Sequence, residues 1–133
     1  MKYNLLMSLL LVTATSQVFA TADESLNGYR NQGAGPFDPM AGRQLWLKAN
    51  RPVPDTDDRR CSDCHGKNLN LPGKHIRTGK VIDPMNPAIA PERLTNSKKI
   101  EKWFKRNCKW TFGRECTPQE KGDLILFIRN QNG

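Results

Sequence analysis

Apolar side chains recur at helical spacing in several segments of the chain, and few stretches alternate in the way that half-buried strands do. Residues 23–32 place Leu26 and Tyr29 on one side of a short helix, which glycines end. Asp38 followed by Pro39 then predicts an N-cap and a first helical residue, and this helix continues to about residue 49. Its predicted apolar face consists of Gly42, Leu45, Trp46 and Ala49.

Two more helices are predicted in the last third of the chain. Asn96 or Ser97 caps a helix that continues through Asn107, which follows an apolar stripe. That stripe consists of Ile100, Trp103 and Phe104. Thr117 and Glu120 form a capping box, with proline at the first helical position of the last helix. The inward face of this helix consists of Leu124, Phe127 and Ile128. The pattern as a whole predicts an all-α domain.

Between these helices, residues 61–65 read Cys-Ser-Asp-Cys-His, the spacing at which haem is attached covalently. Two intervening residues put Cys61 and Cys64 on one turn of chain, where their sulfurs can bond the two vinyl groups of a porphyrin. The next residue, His65, can then bind the iron as the proximal axial ligand. The sequence therefore predicts one covalently bound haem c.

Zinc binding and dithiol redox chemistry are the alternatives for such a cysteine pair. A zinc site would need a second ligand pair, but seven residues separate Cys108 from Cys116, a poor match for a zinc ribbon. A thioredoxin-like site would need alternating strands and helices.

Helices around a haem instead resemble the plan of class I cytochromes c, with the Trp46 helix crossing the Phe127 helix. The irregular stretch over residues 66–90 would then wrap one edge of the porphyrin.

The start of the chain has the pattern of a secretory signal peptide, with Lys2 before a short apolar run and small residues after it. The run is far shorter than the ~20 residues that a membrane-spanning helix needs. Cleavage after Ala20 or Ala22 fits the pattern. The first choice makes residues 1–20 the signal peptide and residues 21–133 one cytochrome c domain of 113 residues. We therefore expect a periplasmic protein without a transmembrane segment in the mature chain.

Charge is distributed unevenly along the mature chain. Loss of Lys2 changes the formal net charge from +8 to +7. Residues 21–58 carry four basic and six acidic side chains, whereas residues 59–133 carry sixteen basic and seven acidic ones. Since an exported protein has little access to nucleic acid, this charge favours an acidic redox partner or an anionic membrane surface. A generally solvated basic surface is the other interpretation.

Four side chains are candidates for the sixth iron ligand. Met85 lies only twenty residues after His65 and among prolines, Met40 lies near a helix start, and His75 lies in a basic loop. Asn107 is a polar residue on an apolar stripe, forty-two residues after His65. A buried amide needs a partner, since leaving it unpaired costs roughly 1–3 kcal/mol. Either Asn107 ends its helix by satisfying nearby backbone groups, or its carbonyl oxygen faces the iron.

Three stretches carry a more specific pattern: Arg-Thr-Gly-Lys at 77–80, Glu-Lys-Trp-Phe-Lys-Arg-Asn-Cys at 101–108, and Gly-Arg-Glu-Cys-Thr-Pro at 113–118. They resemble the sphaeroides haem protein family of monohaem cytochromes, and the resemblance covers most of the mature chain. That family is similar to class I cytochromes c but binds ferric iron through an asparagine.

The resemblance implies roles for particular residues. The thioether cysteines match Cys61 and Cys64, and the axial ligands match His65 and Asn107. The paired cysteines near the haem match Cys108 and Cys116, and export makes a disulfide their simplest state.

The resemblance also implies a function. An amide oxygen is a weak, hard ligand that holds Fe(III) but binds Fe(II) poorly, so reduction would free a position for O₂, NO or CO. The electron donor would be another cytochrome, as the family accepts electrons from a dihaem partner. The alternatives are a low-spin electron shuttle with Met85 or His75 on the iron, and a reductase of O₂, peroxide or NO. Because no distal acid–base pair is evident, electron transfer with ligand binding is favoured over a dedicated enzyme.

Overall fold

The computed structural model describes residues 16–131 of the chain, and their side chains from residue 21 onward. Most of the predicted signal peptide falls outside the described residues. Within them the chain forms helices α1 (Ser16–Arg30), α2 (Pro39–Leu47), α3 (Cys61–His65), α4 (Ser97–Phe112) and α5 (Pro118–Arg129), and short antiparallel strands β1 (Gly73–Lys74) and β2 (Val81–Ile82). The predicted all-α class is confirmed. No helix in residues 16–131 is long and apolar enough to cross a membrane.

The crossing of α2 and α5 forms the centre of the main core. Gly42 of α2 lies so close to α5 that a Cβ atom there would lie 2.1 Å from the Asp123 carbonyl oxygen. One turn later, the rings of Trp46 and Phe127 pack 5.7 Å apart, and both side chains are buried. The predicted crossing of the two helices is therefore confirmed, and it depends on a glycine at the contact.

A second core cluster joins α1 to α4 and α5. Its buried members are Ala22, Leu26, Tyr29, Ile100 and Ile125. The Tyr29 hydroxyl donates to Glu101, which also accepts from Lys121 at 2.7 Å. The predicted Leu26–Tyr29 face is therefore buried against the C-terminal half of the chain.

The N-terminal caps agree with the sequence, but the predicted C-terminal end of α4 was wrong. Asn96 accepts from the Lys99 amide at 2.9 Å, and Thr117 and Glu120 form the predicted capping box. However, α4 continues five residues past Asn107 and ends only at Gly113, whose φ of 73° is left-handed. Glycine adopts this conformation without the steric penalty that a side chain would bring.

Two smaller predictions also need correction. Helix α2 ends at Leu47, two residues earlier than expected, because Lys48 is already extended. The stretch over residues 66–90, expected to be irregular, contains the β1–β2 hairpin. Gly73 of this hairpin lies so close to α3 that a Cβ atom there would lie 2.1 Å from the Cys64 carbonyl oxygen. The hairpin therefore packs directly against the end of α3.

Candidate haem site

Helix α3 is a single short turn that brings the two motif cysteines to one side. It begins after Arg60, whose extended backbone amide donates to the Asp63 carboxylate at 2.8 Å. It ends at Gly66, whose φ of 75° turns the chain away. Residues three apart on a helix are neighbours, so the spacing places the thiols of Cys61 and Cys64 side by side. Both thiols are free and half-buried.

The Cys61 thiol is held in its protonated form and lies against α4. Burial raises its pKa to about 11, although a hydrogen bond with Thr111 acts in the opposite direction. Thr111 itself is buried. Thr111 lies on the last turn of α4, so the side of α4 that carries Thr111 faces the motif.

His65 is held as a neutral imidazole, the form that binds metals. Burial lowers its pKa to about 4, and electrostatic interactions with Arg93 and His75 add to the effect. Its Nδ1 atom is buried without a hydrogen-bond partner in residues 16–131. A neutral imidazole with a buried nitrogen that has no partner is suited to metal ligation, since binding would compensate for part of the cost of burial.

Trp46 links the α2–α5 core to this motif. Its indole N–H donates to the Gly66 carbonyl at 2.8 Å, and its ring centroid lies 5.4 Å from that of His65. The hydrogen bond satisfies the C-cap of α3 from outside the motif. The main core therefore positions the imidazole from one side, while Gly73 restricts the motif from another.

Asn107 lies in the middle of α4 and one turn before Thr111. Residues four apart share a helix face, so Asn107 is on the side of α4 that meets Cys61. Its side chain makes no hydrogen bond to the described part of the chain and is exposed. The prediction that its stripe is buried by protein was wrong in part, since Ile100 is buried but Trp103 is 44 % exposed. Phe104 of the same stripe is partly buried and packs against both core clusters.

The other three candidate sixth ligands, Met40, Met85 and His75, have surroundings that account for them without an iron bond. Met40 is 58 % exposed on α2. Met85 packs against the main core, and its amide donates to Leu69 at 3.0 Å. The Nδ1 atom of His75 accepts from the backbone amides of Arg77 and Thr78, which closes the turn of the β1–β2 hairpin. Each of the three therefore has a position that packing, solvent or turn formation explains.

The C-terminal end of α4 is fastened on two sides. The sulfur atoms of Cys108 and Cys116 lie 2.00 Å apart, a bonding distance. On the other side, Arg59 donates to the Trp110 carbonyl at 2.9 Å and places its guanidinium 3.7 Å from the centre of the indole ring. The turn that follows Asn107 is thus attached both to the segment that precedes α5 and to the segment that precedes Cys61.

Sequence reasoning missed several of these contributors. Nothing in the pattern distinguishes Thr111 from an ordinary helix residue, because its role depends on the distant Cys61. The contact of Gly73 with the motif was equally hidden, although a glycine inside a strand is a general sign of close backbone approach. The stack of Arg59 on Trp110 joins residues fifty-one positions apart.

The chain is similar to known proteins in both sequence and structure. A family model described as a domain of unknown function, DUF1924, matches residues 32–128. The cytochrome c-type protein SHP of Cereibacter sphaeroides is 41% identical over 105 residues, which cover 78% of this chain and 79% of that protein. Cytochrome c'' of Methylophilus methylotrophus is 35% identical over 76 residues, 57% of this chain and 53% of that protein.

Solved structures give the same relationship. Oxidised SHP, described as an oxygen-binding cytochrome c, superposes with a TM-score of 0.75 at 39% identity, covering 83% of this chain and 96% of that one. Oxidised cytochrome c'' of Methylophilus methylotrophus superposes with a TM-score of 0.74 at 25% identity, covering 86% and 97%. Family model, sequence and structure thus lead to one conclusion: the chain belongs to the DUF1924 family and to the sphaeroides haem protein family, as a small helical monohaem cytochrome with haem c as its cofactor.

Proposed function

We propose that the protein is an exported cytochrome that accepts an electron and then binds a small diatomic ligand where a weak asparagine ligand has been released. In this proposal Cys61 and Cys64 form the thioether bonds, His65 is the proximal iron ligand, and Asn107 is the sixth ligand. The observation that carries the proposal is the position of Asn107, in mid-helix without a protein hydrogen bond and one turn before the contact with Cys61.

The residues of the motif fit a covalently bound haem. Two free thiols lie on one turn of α3, next to an imidazole that is neutral at pH 7 and has an unpartnered buried nitrogen. When bound, haem c supplies an iron that changes between the ferric and ferrous states and that binds O₂, NO or CO when ferrous. The chain would supply the two thioether bonds to the haem and the proximal iron ligand. On the opposite face of the haem, it would control the access of small ligands to the iron.

The structure disfavours the simplest structural role for Asn107. An asparagine that ends a helix satisfies free backbone groups with its side chain. Asn107 has five further helical residues after it, so the carbonyl groups around it are already engaged within α4. Its amide oxygen is therefore available to an external partner. As a neutral, hard donor, it suits ferric iron better than ferrous iron.

The attachments of α4 support a sixth ligand that dissociates without loss of the helix. A bridge from Cys108 to Cys116 and the Arg59–Trp110 stack hold the following turn in place. With the backbone held at this point, release of Asn107 needs only a change of its side-chain torsion angles. We propose that the cysteine pair is a disulfide in the periplasm, where such bonds persist.

The proposal is tested by changing the strength of the sixth ligand. Asn107→Ala should alter the ferric absorption spectrum, whereas Asn107→His should give a low-spin spectrum in both oxidation states and suppress CO binding to the reduced protein. Lys105→Ala, an exposed change on the opposite side of α4, is the matched control and should leave the spectra unchanged. An unaltered ferric spectrum in Asn107→Ala would remove Asn107 from the iron and leave His75 or Met85 as the candidates.

A further inference from the structure

A group of arginine and tryptophan side chains lies on one side of α4 and continues onto the neighbouring loops. The guanidinium of Arg106 lies 5.1 Å from the ring centroid of Trp103. Those of Arg59 and Arg77 lie 3.7 Å and 4.9 Å from the ring centroid of Trp110. We call these five residues the Arg–Trp surface.

The positive charge of the Arg–Trp surface is not neutralised within the protein. No ion pair in residues 16–131 involves Arg59, Arg77 or Arg106, although Arg51, Arg60, Arg114 and Arg129 all have carboxylate partners. Glu101, the acidic residue within α4, is engaged on the other side with Lys121 of α5. The exposed guanidinium groups of Arg77 and Arg106 are therefore available to carboxylates from outside, whereas Arg59 also holds Trp110 in place.

The surface also presents apolar area in a form that suits protein contacts. Trp103 is 44 % exposed, and Arg77 and Arg106 are exposed. Tryptophan and arginine are the residues most enriched among those that dominate binding energy at protein interfaces. An exposed indole beside unpaired guanidinium groups is therefore suited to a protein partner with carboxylates around an apolar centre.

The Arg–Trp surface lies next to the proposed sixth ligand. At 3.6 residues per turn, Trp103 lies about 40° and Arg106 about 100° from Asn107 around α4. Arg59 precedes Cys61 by two residues. A partner docked here would meet the protein beside the haem attachment site.

We infer that the Arg–Trp surface is the docking face for an acidic one-electron donor protein, which delivers its electron beside Asn107. This inference rests on the proposed function, since it assigns a route for the electron that the ferric iron accepts. The donor loses one electron, and the iron changes from ferric to ferrous. Association should be fast and sensitive to salt, because opposite charges steer the encounter.

The test uses flavodoxin hydroquinone, an acidic low-potential donor that becomes the semiquinone as it reduces the haem. Stopped-flow measurements at low ionic strength would compare Arg106→Glu with Lys105→Glu. Both residues are exposed neighbours and both substitutions change the net charge equally, but Lys105 lies about 160° from Asn107 around the helix. We expect Arg106→Glu to lower the second-order rate constant about tenfold and Lys105→Glu less than about threefold, with the difference lost at 0.5 M salt. Trp103→Ala should weaken binding of oxidised flavodoxin without changing the salt dependence.

Other outcomes overturn the inference. Equal slowing by the two glutamate variants would mean that only the total charge matters, and no slowing would mean that the surface is not used. If Arg106→Glu removes binding to phosphatidylglycerol vesicles but leaves the flavodoxin reaction unchanged, the surface binds lipid instead. Thermal unfolding checks that each variant is folded. The CO association rate of the dithionite-reduced variants keeps the two proposals separate, since docking changes should leave it unaltered even if Asn107 proves not to be a ligand.

Discussion

The crossing of α2 and α5 gives the sharpest stability prediction. In Gly42→Ala, the new Cβ atom would lie 2.1 Å from the Asp123 carbonyl oxygen and 2.8 Å from the Phe127 Cβ atom. Real Cβ atoms essentially never approach closer than 3.0 Å, so the two helices must separate by about 1 Å. A gap of this size forfeits a quarter to a half of the dispersion energy across the contact.

We expect Gly42→Ala to lower the free energy of unfolding by about 3 kcal/mol or more, at or above the usual range for overpacking. The corresponding fall in Tm is more than about 10 °C for a domain of this size. Because Trp46 follows Gly42 by one turn and packs against His65, the ferric spectrum should change as well. Guanidinium and thermal unfolding, each followed by circular dichroism, measure the stability change.

Gly28→Ala is the matched control, because a Cβ atom at Gly28 in α1 would have nothing within 4 Å. Alanine is favoured over glycine inside a helix by roughly 0.5–1 kcal/mol, so this variant should be slightly more stable than the wild type. If the two substitutions change the stability by the same amount, the close contact at Gly42 does not exist, and the proposed link from the core to His65 fails with it.

Three further changes test other contacts. Trp46→Phe removes the N–H that donates to the C-cap carbonyl of α3, so it should cost about 1–3 kcal/mol in denaturant unfolding and shift the ferric spectrum; a stable variant with an unchanged spectrum would contradict this role. The hydrogen-bonded ion pair with Arg114 holds the pKa of the Glu120 carboxyl below its ordinary value, so its stabilisation is present above the unfolded pKa and is lost as the pH falls through the folded pKa. Glu120→Gln should therefore cost up to about 1 kcal/mol of unfolding free energy at pH 7, and nothing at a pH at which the Glu120 carboxyl is protonated in the folded and the unfolded protein alike. A cost independent of pH would refute the assignment. Replacing both Cys108 and Cys116 with serine should lower the free energy of unfolding by about 2 kcal/mol for so short a loop, whereas a wild-type stability that is unaffected by reductant would mean that the bridge is not formed.

Local chemistry made much of the fold predictable. Asp38 with Pro39, and Thr117 with Glu120, are start signals whose meaning depends only on nearby backbone amides, and both helices begin as predicted. The covalent motif is similarly local. The buried face of α5 was predicted from the helical spacing of Leu124, Phe127 and Ile128. These side chains are apolar, so burial is the one role that their pattern indicates.

Contacts between distant segments were not predictable in the same way. The end of α4 was placed at Asn107 because asparagine often ends a helix, whereas the stop signal is the left-handed Gly113, which also packs against Pro52. The exposure of Trp103 differed from expectation for a related reason. An apolar stripe shows that a helix face meets something, but the partner depends on how the whole chain is folded.

The coordination of the ferrous iron in the wild-type protein tests the central claim most directly. Magnetic circular dichroism of the dithionite-reduced protein would give the spin state, and stopped-flow mixing with CO would give the dependence of the binding rate on CO concentration. Release of Asn107 predicts five-coordinate, high-spin ferrous iron and a rate that rises in proportion to CO. A low-spin, six-coordinate ferrous spectrum, with a CO rate that reaches a limit set by dissociation of a protein ligand, would contradict the account.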